Sequence, residues 1–159
     1  MPAIDERKTE LDIHDILRLL PHRYPMLFID RVIDIDFDKE CCVGIKNVTI
    51  NEPYFQGHFP GKPVAPGVFQ IEAMAQTSAL YILASRPDLD LVAVYLMTVD
   101  NVRYRKPVLP GNSVKIHVTV TKKRPRNLIY KFSSRAMVGD TLVTEADFTA
   151  MGVERGANI

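Results

Sequence analysis

An α+β fold, in which a curved antiparallel sheet of about six strands wraps one long buried helix, is predicted by three observations on this sequence. Segments in which apolar and polar residues alternate fill most of the second half of the chain, and two more lie near its start. Between them a stretch from about Gly67 to Ala84 is apolar nearly all round, the pattern of a helix buried nearly all round. No repeat, low-complexity tract or linker interrupts the 159 residues, so 1–159 reads as one domain. One buried helix among antiparallel strands requires a sheet that curves around it. The open edges of such a sheet need managing, and joining two sheets edge to edge is one way to do it.

Taken in order, residues 4–20, "IDERKTELDIHDILRLL", place Leu11, Ile13, Ile16, Leu17 and Leu20 at helical spacing, and Pro21 ends them. They predict an N-terminal helix within residues 1–20 that packs on the sheet. "MLFIDRVIDIDF", residues 26–37, reads as a strand because Leu27, Ile29, Ile33 and Ile35 alternate, and "CCVGIKNVTI", 41–50, reads as its antiparallel partner. After the long helix come "LVAVYLMTVDNVRY" (91–104), "NSVKIHVTVTKK" (112–123), "LIYKFSSRAMV" (128–138) and "TLVTEADFTAMGV" (141–153), with "PGN" and "VGD" as turns. In the second of these Val114, Ile116, Val118 and Val120 share the inner face. His117 falls on the outer one, exposed and without a role, and His14 in the first helix is read the same way.

A composition 47% hydrophobic and 25% charged is that of a soluble globular protein. The first twelve residues are charged where an export leader would be apolar, and the longest apolar run, 91–97, is too short to span a bilayer; a cytoplasmic protein is expected. Adjacent Cys41 and Cys42 suit neither a disulfide nor a zinc site, and read as thiols on opposite faces of a strand. Charge is uneven. Residues 1–40 hold ten acidic and six basic residues, whereas 103–126 hold eight basic residues and no acidic one. Such a run is either a solvated face or a docking surface for an acidic partner. Nucleic acid is disfavoured, because no binding module is recognisable and only Tyr104 interleaves the basic residues.

The chemistry concentrates in "GHFPGKPVAPGVFQIEAMAQ", residues 57–76. Glu72 sits within the apolar helix among Phe69, Ile71, Ala73, Met74 and Ala75. A buried carboxylate must find partners or hold its proton, and a neutral carboxylic acid is a proton donor. The alternative is a structural contact with helix-terminal N–H groups or with Gln76 one turn on. His58 precedes a loop stiffened by Pro60, Pro63 and Pro66, in which Gly61 and Gly67 permit close approach or unusual dihedrals and Phe59, Val64 and Val68 point to burial. A helix starting at Pro66–Gly67 aims its free N–H groups at what lies before it, a site for an oxyanion. Imidazole, a neutral acid and an oxyanion site together suit removal of a proton beside a carbonyl, coupled to loss of a β-hydroxyl, with no serine or cysteine nucleophile.

Those residues resemble the (3R)-hydroxyacyl-[acyl-carrier-protein] dehydratases of type II fatty-acid synthesis, which have the hotdog fold. The likeness runs from "LPHRYPMLFIDRV" through the His58 segment to "RYRKPVLPGNSV". Relatives that also isomerise the double bond carry Asp at the position of Glu72, which favours the plain dehydratase. The resemblance implies His58 as general base and Glu72 as general acid. It implies Gly67 N–H, with Val68 beside it, at the thioester carbonyl, Val64 carbonyl on the other ring nitrogen of His58, and a cis peptide between His58 and Phe59. It also implies an acyl tunnel along the helix, with Phe59, Pro66, Phe69 and Met74 as candidate lining. Neither cofactor nor metal is implied. The substrate would be a 3-hydroxyacyl chain carried by phosphopantetheine on an acyl carrier protein, docked on basic surface; Arg103, Arg105, Lys106, Lys122, Lys123, Arg124 and Arg126 are the candidates. Each site would take its two catalytic residues from different subunits of a homodimer, with three dimers in a hexamer. His22 and Arg23 belong to the same pattern and are read as structural or gate-lining. A thioesterase of the same fold, or a non-catalytic acyl-binding regulator, is the competing reading.

Overall fold

Asp12 starts the first helix. Its side chain accepts from the Asp15 N–H at 2.9 Å while the Asp15 carboxylate accepts from the Asp12 N–H at 3.2 Å, a reciprocal cap that opens α1 (Ile13–Leu19). The computed structural model describes residues 8–156, so residues 4–7 of the expected helix lie outside the described residues. Residues 9–11 are not helical. Leu11 exchanges backbone hydrogen bonds with Val32 at 2.8 and 3.0 Å, and Thr9 accepts from Ile35 N–H at 3.0 Å, so this segment runs along the first strand and α1 packs against the long helix.

That strand, β1 (Arg31–Asp36), begins later than its alternation suggests. The backbone before it is bonded elsewhere: Phe28 N–H and Met26 carbonyl both meet the side chain of Gln76. β2 is Cys41–Asn47, and the long helix, α2, is Gly67–Ser85. β3 (Leu91–Tyr104), β4 (Ser113–Arg124), β5 (Ile129–Val138) and β6 (Thr141–Glu154) follow, close to their expected bounds. All neighbours pair antiparallel in one sheet ordered β1-β2-β4-β5-β6-β3. Gly111 and Gly139 turn the chain with positive φ, where the "PGN" and "VGD" signals lie.

α2 packs against all six strands, which is the hotdog arrangement. At Gly44 the approach is closest: a Cβ there would lie 2.3 Å from Thr77 Oγ1, so the helix rests on the backbone of β2. Alternation along β4 is as read, with Val114, Ile116, Val118 and Val120 in the core and His117 outside. His14 is exposed, and Cys41 and Cys42 are free thiols, the second buried.

Burial corrects one expectation about α2. Gln76 to Leu83 are buried without a break, but the first turns are not: Val68 is 67% exposed and the Glu72 side chain 29%. The loop before the helix is open too, with Phe59 54% exposed. β3 shares this exposure. It is the last strand of the sheet, nothing among the described residues pairs with its outer edge, and Tyr95, Leu96, Met97, Val99, Val102 and Tyr104 are each between 37% and 53% exposed. Among the described residues no helix is long and apolar enough to cross a membrane.

Candidate active site

The loop from His58 to Val64 is closed by its own backbone. His58 N–H donates to Tyr54 carbonyl, Val64 N–H to His58 carbonyl, and Phe59 and Lys62 bond each other; the His58–Phe59 peptide is cis, as the resemblance implied. This folding turns the imidazole so that Nδ1 lies 2.7 Å from Val64 carbonyl oxygen. A carbonyl only accepts, so Nδ1 carries the hydrogen, and in the neutral ring Nε2 presents a bare lone pair. The Phe59 ring stacks on the imidazole with centroids 4.0 Å apart and limits its rotation.

His58 shares a cleft with Val64, Pro66, Gly67, Val68, Tyr104, Arg105 and Lys106. α2 begins in this cleft. Pro66 carbonyl takes the N–H groups of Phe69 and Gln70, and the N–H groups of Gly67 and Val68 have no partner among the described residues. Gly67 is required by a close approach. A Cβ there would stand 2.6 Å from the Tyr104 ring at the end of β3. Behind the helix start lies a small apolar cavity of about 30 Å³ lined by Phe28, Val48, Tyr54, Phe69, Ala73 and Ile116, among others. Phe69 meets the rings of Phe28 and Tyr54 there at 5.2 Å each.

Met74 does not line that cavity. It is fully buried in the core, because Phe69 and Ala73 share one helix face at i and i+4 and the next residue points away from it. Of the other candidate tunnel residues, Pro66 borders the His58 cleft and Phe59 covers the imidazole.

Glu72 lies outside the His58 cleft, and within one chain no hydrogen bond joins the two. Its Oε1 accepts from Gln76 Nε2 at 2.8 Å and lies 3.4 Å from His22 Nε2. The donor at His22, opposed by partial burial and helped by Gln76, holds this carboxyl below its ordinary range. The expectation that burial alone keeps Glu72 neutral is therefore corrected for the single chain. The group is only half buried, and both neighbours favour the carboxylate. Sequence reasoning missed His22 as a neighbour of Glu72. The one signal available was its place in "LPHRYP".

The eight basic residues of 103–126 do not form one surface. Arg105 and Lys106 border the His58 cleft, and Arg103 and Arg105 both approach Glu145. Lys122, Lys123, Arg124 and Arg126 lie at the other end of β4, about 20 Å further along a strand that rises roughly 3.3 Å per residue. Lys123 is paired there with Glu40. Among the described residues no cluster of His, Cys, Asp and Glu is placed to hold a metal.

Residues 20–147 match the family pattern described as a FabA-like domain. The chain is 54% identical over 144 residues to the 3-hydroxyacyl-[acyl-carrier-protein] dehydratase FabZ of Sinorhizobium fredii, covering 91% of each. With the protein of the same description from Agrobacterium fabrum it shares 49% identity over 155 residues, 96% of this chain and 98% of the relative. Among solved structures, the dehydratase heterocomplex ApeI:P from Xenorhabdus doucetiae superposes with a TM-score of 0.76 at 19% identity, covering 88% of this chain and 91% of that one. Cj0977 of Campylobacter jejuni superposes at 0.65 and 12%, covering 89% and 90%. At these identities the superpositions speak for the fold alone.

Proposed function

Since the chain belongs to the FabA-like family, we infer that it dehydrates (3R)-3-hydroxyacyl-[acyl-carrier-protein] to the trans-2-enoyl thioester in fatty-acid biosynthesis. The observation that carries the mechanism is the His58 tautomer, fixed by Val64 beside a helix start with two unpaired N–H groups. His58 Nε2 takes a proton from C2 of the substrate. The Gly67 N–H, with Val68 beside it, stabilises the negative charge that develops on the thioester oxygen. The C2–H electron pair forms the C2–C3 double bond, the C3–O bond breaks, and Glu72 gives its proton to the departing hydroxyl, so that water leaves.

Glu72 must hold a proton to do this, and in one chain it is partly exposed and apart from His58. The reading is completed by a second copy of the chain. Its exposed apolar β3 would continue the sheet across a two-fold axis and cover the open first turns of α2, and the water excluded there would raise the Glu72 carboxyl. Each site would then draw His58 from one subunit and Glu72 from the other, and three such dimers would make the hexamer. The acyl chain would enter the apolar cavity beside Phe69. The acidic carrier protein would dock at the Arg103, Arg105 and Lys106 end, in the cytoplasm.

Incubation with a 3-hydroxyacyl carrier-protein thioester tests this directly. Mass spectrometry should show carrier lighter by one water. Release of free carrier thiol instead would replace this reading with a thioesterase, and an unchanged carrier would end both.

A further inference from the structure

The side chain of Gln76 is 1% exposed and has no freedom to flip. Its Oε1 accepts from Phe28 N–H at 2.9 Å, so its amide nitrogen must face Met26 carbonyl, at 2.7 Å, and Glu72 Oε1, at 2.8 Å. Reversing the amide would set two acceptors against each other at Met26 and two donors at Phe28. Glu72 Oε1 therefore meets an N–H that cannot turn into an acceptor, which favours the proton on the other oxygen. His22 approaches the same oxygen. Its Nδ1 is buried and without a partner among the described residues, where a bare lone pair costs less than an unsatisfied N–H. Nε2 then carries the hydrogen, and it lies 3.4 Å from Glu72 Oε1. Glu72 Oε2 has no partner among the described residues.

We propose that Gln76 and His22 are positioning residues that hold Glu72 by Oε1 alone, so that the proton it transfers resides on Oε2. This rests on Glu72 being the acid. His22 is the titratable neighbour of Glu72 from the loop after α1. Arg23, next to it, is turned onto the carbonyls of Leu17, Leu20 and His22, and on α2 the neighbour is neutral Gln76. Among the described residues no strand brings a charged side chain into an ion pair with Glu72. In the assembled molecule His58 of the other copy would join them.

Gln76 variants leave Phe28 N–H and Met26 carbonyl unpaired and risk the fold, so the test uses His22, whose side chain is 31% exposed. Protein labelled with ¹³C at the glutamate carboxyl carbons is titrated by NMR, the Glu72 signal being identified by its loss in Glu72→Gln. His22→Phe, which removes the donor, should lower the acid dissociation constant of Glu72 about three-fold or more, the worth of one hydrogen bond. His22→Gln, which keeps a donor, should leave it near wild type. In turnover the Phe variant should lose kcat with KM little changed, and the Gln variant should recover it. Equal titrations in all three proteins, or a loss confined to KM, would overturn the proposal. Wild type active with an unmoved titration sinks the clamp alone. Wild type inactive on carrier-linked substrate sinks the dehydratase reading, and with it the role of the clamp, whatever the titration shows.

Discussion

The two edges of the sheet end differently. At β1 the chain covers its own edge: residues 9–11 pair with Val32 and Ile35, Leu11 is fully buried, and the capped α1 follows at once. At β3, fourteen residues long, no described residue pairs with the outer edge, and six large apolar or aromatic side chains are exposed. A long apolar edge left open is an invitation to another strand. The chain is self-sufficient at β1, whereas at β3 its edge is open among the described residues. The covered edge carries stability, whereas the open edge lies beside Gly67, Val68 and His58, where the chemistry is proposed.

Breaking the open edge should have the largest effect. Leu96→Asp is tolerable in a single chain, where Leu96 is 43% exposed, but in the proposed two-fold assembly it would put a charge into an apolar seam. Turnover should fall about a hundred-fold, on the order of losing one catalytic group, while sedimentation shows single chains and circular dichroism an intact fold. A Leu96→Asp protein that stays assembled and active would remove β3 from the interface. Mixing sharpens the same point. His58→Ala and Glu72→Gln should each be nearly inactive, yet after joint unfolding and refolding in equal amounts about half the dimers are mixed, with one intact site of two. Activity should return to roughly one quarter of wild type. A mixture as inactive as its parents would mean that both residues serve the same chain's site.

At the covered edge the effects should be thermodynamic. Leu11→Ala should lower unfolding free energy by about 2–5 kcal/mol in denaturant titration without changing subunit number or, in the folded protein, turnover. Smaller still is the contribution of Asp15. Burial pushes its carboxyl up, but Lys8, the Asp12 backbone N–H and Arg18 together pull it net below the ordinary value. Its stabilisation is therefore complete above the unfolded carboxylate range and is lost as pH falls through the lowered folded value. Asp15→Asn should flatten the acid limb of the stability curve, and an unchanged limb would show that other carboxylates set it.

How much of this was legible in the sequence depends on the range over which residues act. β4 was legible residue by residue, because its alternation is local and one face meets the core. The His58 loop was legible because its prolines and glycines act on their own backbone. Gln76 was not: its partners Met26 and Phe28 lie 50 and 48 residues away, and they took the backbone bonds that would have extended β1. β3 reads as apolar on both faces, which suggests burial, yet one chain does not supply the cover. The basic run reads as one surface, but the register sets Arg103 level with His117 and Lys122 to Arg124 further along β4.

Tyr104 ends the open strand and lies against Gly67, whose missing side chain makes room for the ring. The donor proposed for the thioester oxygen is thus seated by a residue whose strand is anchored on one side only until a second copy arrives. On this reading dilution is itself an inhibitor. As subunits separate, the strand end loosens, the ring loses its seat, and specific activity falls with protein concentration before any chain unfolds.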